Sequence, residues 1–135
     1  MIRQGFSIGD RDWWVMVYYD IKPKDLEAVA DDLTASGVDA ETTAEFVSVM
    51  ANENCGFTFT NTAAHATVIC IGHASSYEEM FTTITHEIKH ASEHIGSYYG
   101  VDPYSEESAY LQGEISKNMY KAVAMCICPK CGRIR

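Results

Sequence analysis

The five residues His86-Glu87-Ile88-Lys89-His90 carry the most specific chemistry in this chain. On a helix, side chains at i and i+4 share a face about 6 Å apart, so both imidazoles can point at one cation. Glu87 follows the first histidine and leans toward the same side, where a carboxylate can take a proton from a water held by that cation. The ordinary alternative is a pair of polar histidines on a solvated helix face. A five-residue pattern is suggestive, and its surroundings must decide.

The surroundings read as a helix built for this purpose. Met80, Ile84, Ile88, Ala91 and Ile95 recur at intervals of four, four, three and four, which makes a core-facing stripe. His86, Glu87, His90 and His94 fall on an adjoining face about a quarter turn away. His94 either extends the row, supports the ligands from behind, or is partly exposed. Ser75 or Ser76 can cap the helix start, with Glu78 or Glu79 as capping-box partner. The periodicity runs to about Tyr98, where Gly96 and Gly100 bracket Ser97-Tyr98-Tyr99 as a loop. Pro103 opens a last helix, from about Tyr104 to Met125. On it Glu106, Tyr110 and Gly113 share one face, and Leu111, Ile115, Met119 and Ala122 share the opposite one. Gly113 costs about 1 kcal/mol against alanine in mid-helix, which is understandable if another helix crosses closely there.

Upstream, the aromatic and β-branched run from Trp13 to Tyr19, closed by Asp20, predicts a buried strand. Pro23 starts a helix with apolar residues at 26, 29, 30 and 33, which Gly37 stops. A second helix is expected from about Glu41 to Ala51, with Phe46, Val47 and Met50 facing inward. The acidic residues here, Asp31 and Asp32 among them, have no histidine or cysteine at ligand spacing and read as solvated. Phe57 to Thr60 and Ala66 to Gly72 are two further strands, joined by a hairpin or a short crossover. Cys70 reads as a small core residue, and His65 and His73 as polar strand-end residues. These elements make an α+β chain, with a small mixed sheet packed against the motif helix and the helix after it.

Composition narrows the function classes. A chain of 135 residues is long enough to bury one core, expected over residues 1–125, followed by a cysteine-rich tail at 126–135. Hydrophobic content of 47% and charged content of 21% are ordinary for a globular protein. No apolar run is long enough for a membrane span, and the start shows no secretory signal. A net charge of −9, a pI near 4.8 and few arginines argue against a nucleic-acid-binding module. Five cysteines, an odd number, point to a reducing, cytoplasmic setting rather than a disulfide scaffold.

A catalytic zinc takes three protein ligands and keeps one position open for water. The third must come from outside the pentapeptide. Glu106-Glu107-Ser108-Ala109-Tyr110-Leu111 opens the next helix, and one loop suffices to fold that helix back on the first. The H-E-x-x-H motif followed by a helix bearing E-x-x-A resembles the gluzincin metallopeptidases, above all their short phage- and prophage-type members. The resemblance covers roughly residues 66 to 120. It implies a minimal zincin-like fold and a zinc ion held by His86, His90 and Glu106, with Glu87 as general base and Glu107 as rival third ligand. Tyr110 stands where many gluzincins place an aspartate that orients a ligand histidine. The resemblance further implies that the strand Ala66 to Gly72 presents an edge to extended peptide. Tyr98, Tyr99 or Tyr104 would be available to donate a hydrogen bond to an oxyanion.

At the end of the chain, Cys126, Cys128 and Cys131 contain C-P-K-C-G, half of a zinc knuckle, which needs a fourth ligand such as Cys55, a histidine or a second chain. The expected function is hydrolysis of a peptide or protein by zinc-activated water. The alternative is a metal-stabilised binding or structural accessory protein without turnover, of phage or mobile-element type. Retention of Glu87 speaks against that alternative, because a structural site needs no base.

Overall fold

The computed structural model describes residues 1–9 and 11–135. Four strands, β1 (Ile2–Ser7), β2 (Trp14–Ile21), β3 (Gly56–Asn61) and β4 (Ala66–Gly72), form one mixed sheet in the order β1-β2-β4-β3. β2 and β4 run parallel at its centre, with β1 antiparallel to β2 and β3 antiparallel to β4. A 3-10 turn (Pro23–Asp25) leads into α1 (Leu26–Ala35), followed by α2 (Ala40–Met50), α3 (Tyr77–Tyr98) and α4 (Glu106–Met125). The mixed α+β expectation holds, and the sheet is covered on both faces.

Strand alternation explains the two layers. Along β2, Val15, Val17 and Tyr19 point to one face, while Met16 and Tyr18 point to the other. Ile69 and Ile71 of β4 join the first set, and Val68 and Cys70 the second. The first face is covered by α3 and α4 through Met80, Ile84, Ile88, Ala91, Ile95, Leu111, Ile115 and Met119. The second is covered by Val29 and Leu33 of α1 and by Phe46 and Met50 of α2. Burying one large aliphatic or aromatic side chain contributes about 1.5–3 kcal/mol, so these two stripes hold the sandwich together.

Several expectations need correction. Ile2–Ser7 was not anticipated as a strand, because Arg3, Gln4, Gly5 and Ser7 hide its alternation, and pairing with β2 supplies the missing drive. Asp20 does not close β2 but lies within it, at φ +58 beside a register shift. Val47 is exposed at 39%, outside the buried stripe of α2. Gly96 does not open a loop. It is buried inside α3, where an added Cβ would meet Val101 and Leu111 in ordinary contact at 3.6 and 3.8 Å. A Cβ at Gly113 would meet nothing within 4 Å, so no close helix crossing accounts for that glycine. The β3–β4 link is a hairpin, and Ala66 to Gly72 is an inner strand, the edges of the sheet being β1 and β3. Among the described residues, no helix is long and apolar enough to cross a membrane.

Candidate metal centre

α3 starts at Ser76, whose hydroxyl accepts the Glu79 N–H at 3.2 Å, with Glu78 and Glu79 placed favourably against the helix dipole. The threonines that follow lower intrinsic helix propensity, and two of them bond back to carbonyls four residues earlier. Packing of the apolar stripe on the sheet therefore carries this helix. The stripe also fixes its rotation, and so decides what the neighbouring histidine face meets.

That face meets β3. Gly56, Thr58 and Thr60 alternate toward α3, while Phe57 and Phe59 pack on the other side of the sheet. Glu87 lies buried against this strand, only 4% exposed. A Cβ added at Gly56 would stand 2.5 Å from the Glu87 Cγ, so the glycine makes the room that the carboxylate occupies. The Thr58 hydroxyl lies 3.5 Å from both the main-chain oxygen and Oε2 of Glu87. Burial pushes the proton affinity of Glu87 up, against the opposing pull of His90, His86 and Thr58.

His86 and His90 stand at the exposed rim of the same flank. Their Nε2 atoms are 3.0 Å apart and the rings are nearly perpendicular. Ligand atoms of His86, Glu87 and His90 all lie within 4.8 Å of one another, the one such group among the described residues. A cavity of about 210 Å³ opens beside them, with Asn54, Cys55 and Gly56 facing Thr83, His86 and Glu87.

His94 is not a member of that group. Its Nδ1 pairs with the Thr60 hydroxyl at 2.9 Å. Thr60 in turn meets Thr67 at 2.9 Å, and the Trp13 indole donates to Thr67 at 3.0 Å. Burial, followed by the charge of neighbouring His90, holds His94 toward its neutral form. It anchors the helix to the sheet.

No residue of α4 belongs to the converged group. α3 continues eight residues past His90, about 12 Å of rise, before the chain turns back. α4 then packs at Gly96, which lies about a third of a turn around the helix from His90. Glu106 is exposed in the first turn of α4, capped by Ser105, and is not in the converged group. Glu107 pairs with Arg11 at 2.8 Å, and Tyr110 is 76% exposed. Of the tyrosines, Tyr98 bonds His65 at 2.8 Å, Tyr99 lies under the Arg11 guanidinium, and Tyr104 projects into solvent. In the tail, Cys126 is buried in the core while Cys128 and Cys131 sit in a separate turn.

No protein-family model, curated protein or solved structure matches this chain. The site therefore rests on its own geometry. The residues that sequence reasoning missed are Gly56, Thr58 and Thr60. Their signal was present in the alternation Gly-Phe-Thr-Phe-Thr, which sets small and polar residues on one face against aromatic residues on the other.

Proposed function

We propose that the chain is a zinc-dependent peptidase centred on His86, Glu87 and His90. The observation that carries this reading is the convergence of two imidazole nitrogens, 3.0 Å apart, with a buried carboxylate. Two ligands about 2.0–2.1 Å from one ion stand about 3.3 Å apart at the tetrahedral angle, so the pair fits zinc with little adjustment. When bound, zinc supplies an acidified water and a Lewis acid for the scissile carbonyl. Glu87 is the general base. Its raised proton affinity suits it to take a proton from the attacking water and return it to the leaving amine. The unpaired edge of β3 runs along the same flank of α3 and offers its main-chain groups to an extended peptide.

The exposed position of Glu106, away from the pair, favours a second reading: a metal-stabilised accessory protein without turnover. Metal content and cleavage of a peptide library, on wild type beside His90→Ala and Glu87→Gln, separate the two. Cleavage lost in Glu87→Gln with the ion retained supports the peptidase. An ion removed by His90→Ala, with no cleavage in the wild type, supports the accessory protein. Metal content indifferent to His90→Ala removes both.

A further inference from the structure

A run of hydrogen bonds leads from the core to His94. The Trp13 indole donates to the Thr67 hydroxyl at 3.0 Å, the Thr67 and Thr60 hydroxyls lie 2.9 Å apart, and Thr60 lies 2.9 Å from His94 Nδ1. An indole N–H can only donate, so Thr67 accepts from Trp13. Thr67 is fully buried, and among the described residues Thr60 is the one acceptor within reach of its O–H. Buried hydroxyls keep their hydrogens bonded, so Thr67 donates to Thr60. Thr60 then spends its own hydrogen on the one partner left to it, His94 Nδ1. Every direction in the run follows from Trp13. His94 accepts at Nδ1 and, as a neutral ring, carries its proton on Nε2.

That tautomer gives His94 a different task from its neighbours. With Nδ1 occupied by a hydroxyl and Nε2 protonated, it has no lone pair to offer a metal, and it does not extend the ligand row. It holds instead an N–H that meets no partner among the described residues. Nε2 stands on the far edge of the ring from Nδ1, so this N–H turns away from Thr60, and the side chain is half-buried rather than sealed in the core. The three histidine rings form a row along α3, with centroids 4.7 Å apart from His86 to His90 and 6.2 Å from His90 to His94. The unspent donor therefore stands one helical turn beyond the pair. In an extended peptide successive carbonyls point to opposite sides, and those that point the same way recur every two residues, about 6.4–6.8 Å apart. That repeat matches the step from the His90 ring to the His94 ring.

We propose that His94 Nε2–H binds a main-chain carbonyl of an extended peptide substrate, two residues from the carbonyl held at the His86–His90 pair. The inference rests on the peptidase reading and narrows its substrate class: the peptide continues at least two residues beyond the scissile bond on the His94 side, in extended conformation. Because the group bound is main-chain, His94 selects for length and extension rather than for side-chain sequence.

Nitrogen-15 NMR of the full chain with labelled histidines, the His94 ring assigned by its absence in His94→Gln, reads the tautomer without any turnover. We expect the proton on Nε2 and a bare Nδ1, with and without added zinc; a proton on Nδ1 would overturn the proposal. Kinetics on a peptide that the wild type cleaves, chosen from a library, read the contact itself. His94→Asn keeps an acceptor for Thr60 and gives up the outward donor, and should raise KM about tenfold with kcat nearly unchanged. His94→Gln places an amide N–H near the Nε2 position and should recover most of that loss. Replacing the peptide bond two residues from the scissile one by an alkene isostere, on each side in turn, should cost the wild type a similar factor on one side only, and His94→Asn nothing further. Should His94→Asn fail to fold, the tautomer and the isostere series on wild type decide. An unchanged KM in His94→Asn, or isosteres cleaved as well as the parent peptide, would remove the His94 contact and leave the peptidase reading standing. A wild type that cleaves no peptide removes both.

Discussion

Along α3, the flank turned to β3 carries Thr83, Glu87 and His94, and the flank turned to α4 carries Gly96. On the first, a glycine and two threonines of β3 leave room and hydrogen bonds for ionisable groups. On the second, Gly96 lies beside Leu111 with room for a Cβ in ordinary contact at 3.8 Å, and the interface continues apolar through Ile115 and Met119. A buried carboxylate needs polar partners, whereas two helices in close contact exclude them. The difference separates the converged His86-Glu87-His90 group from Glu106, although all four stand within about twenty residues of sequence.

The largest expected effect comes from cutting into the first flank. His90→Ala should remove the ion from the histidine pair, measured by metal analysis on a Cys128→Ser/Cys131→Ser background, while Glu106→Ala should leave it in place. Loss of the ion in Glu106→Ala would mean that α4 reaches the pair after all, and the two flanks would no longer be distinct. Next in size, Glu87→Gln should keep the ion and lower peptide cleavage by about 10²–10⁴-fold, since it removes a general base without removing a ligand.

Glycines sharpen the comparison at smaller cost. Gly56→Ala should destabilise by about 1–3 kcal/mol in urea unfolding, because its Cβ would overlap the Glu87 side chain. Gly113→Ala, on the open side of α4, should stabilise by up to about 1 kcal/mol. Equal effects at the two positions would remove the claim that β3 is fitted to Glu87. The smallest effect concerns acid stability. Burial depresses the pKa of His94 below its usual 6.5, so the unfolded chain binds its proton more readily than the folded one. Stability should therefore be full above about pH 6.5 and decline as pH falls through the folded value. Thermal melts of wild type and His94→Gln should show the decline flattened in the variant.

Much of this arrangement was legible from residue order. The stripe Met80, Ile84, Ile88, Ala91, Ile95 orients α3, and the i, i+4 spacing of His86 and His90 brings their rings together on any helix that forms there. Leu111, Ile115, Met119 and Ala122 mark the buried face of α4 equally well. The edge identity of β3 was not legible, because sheet order depends on which strands pair, and local pattern carries no information about that. The position of Gly96 misled because glycine often ends helices, whereas α3 continues through it to Tyr98, held by packing of its apolar stripe.

Periodicity and spacing, which are properties of one helix, belong to the sequence alone. They determined that a histidine pair with an adjacent carboxylate would share a face beside a core stripe. Which elements surround that face is a property of the packed sheet. The length of α3 beyond His90, the seat of α4 at Gly96 and the free edge of β3 were decided only when the apolar faces of all four strands had been buried together. The same closure brought Asp20 to His73 across a separation of 53 residues, a contact that no local pattern encodes.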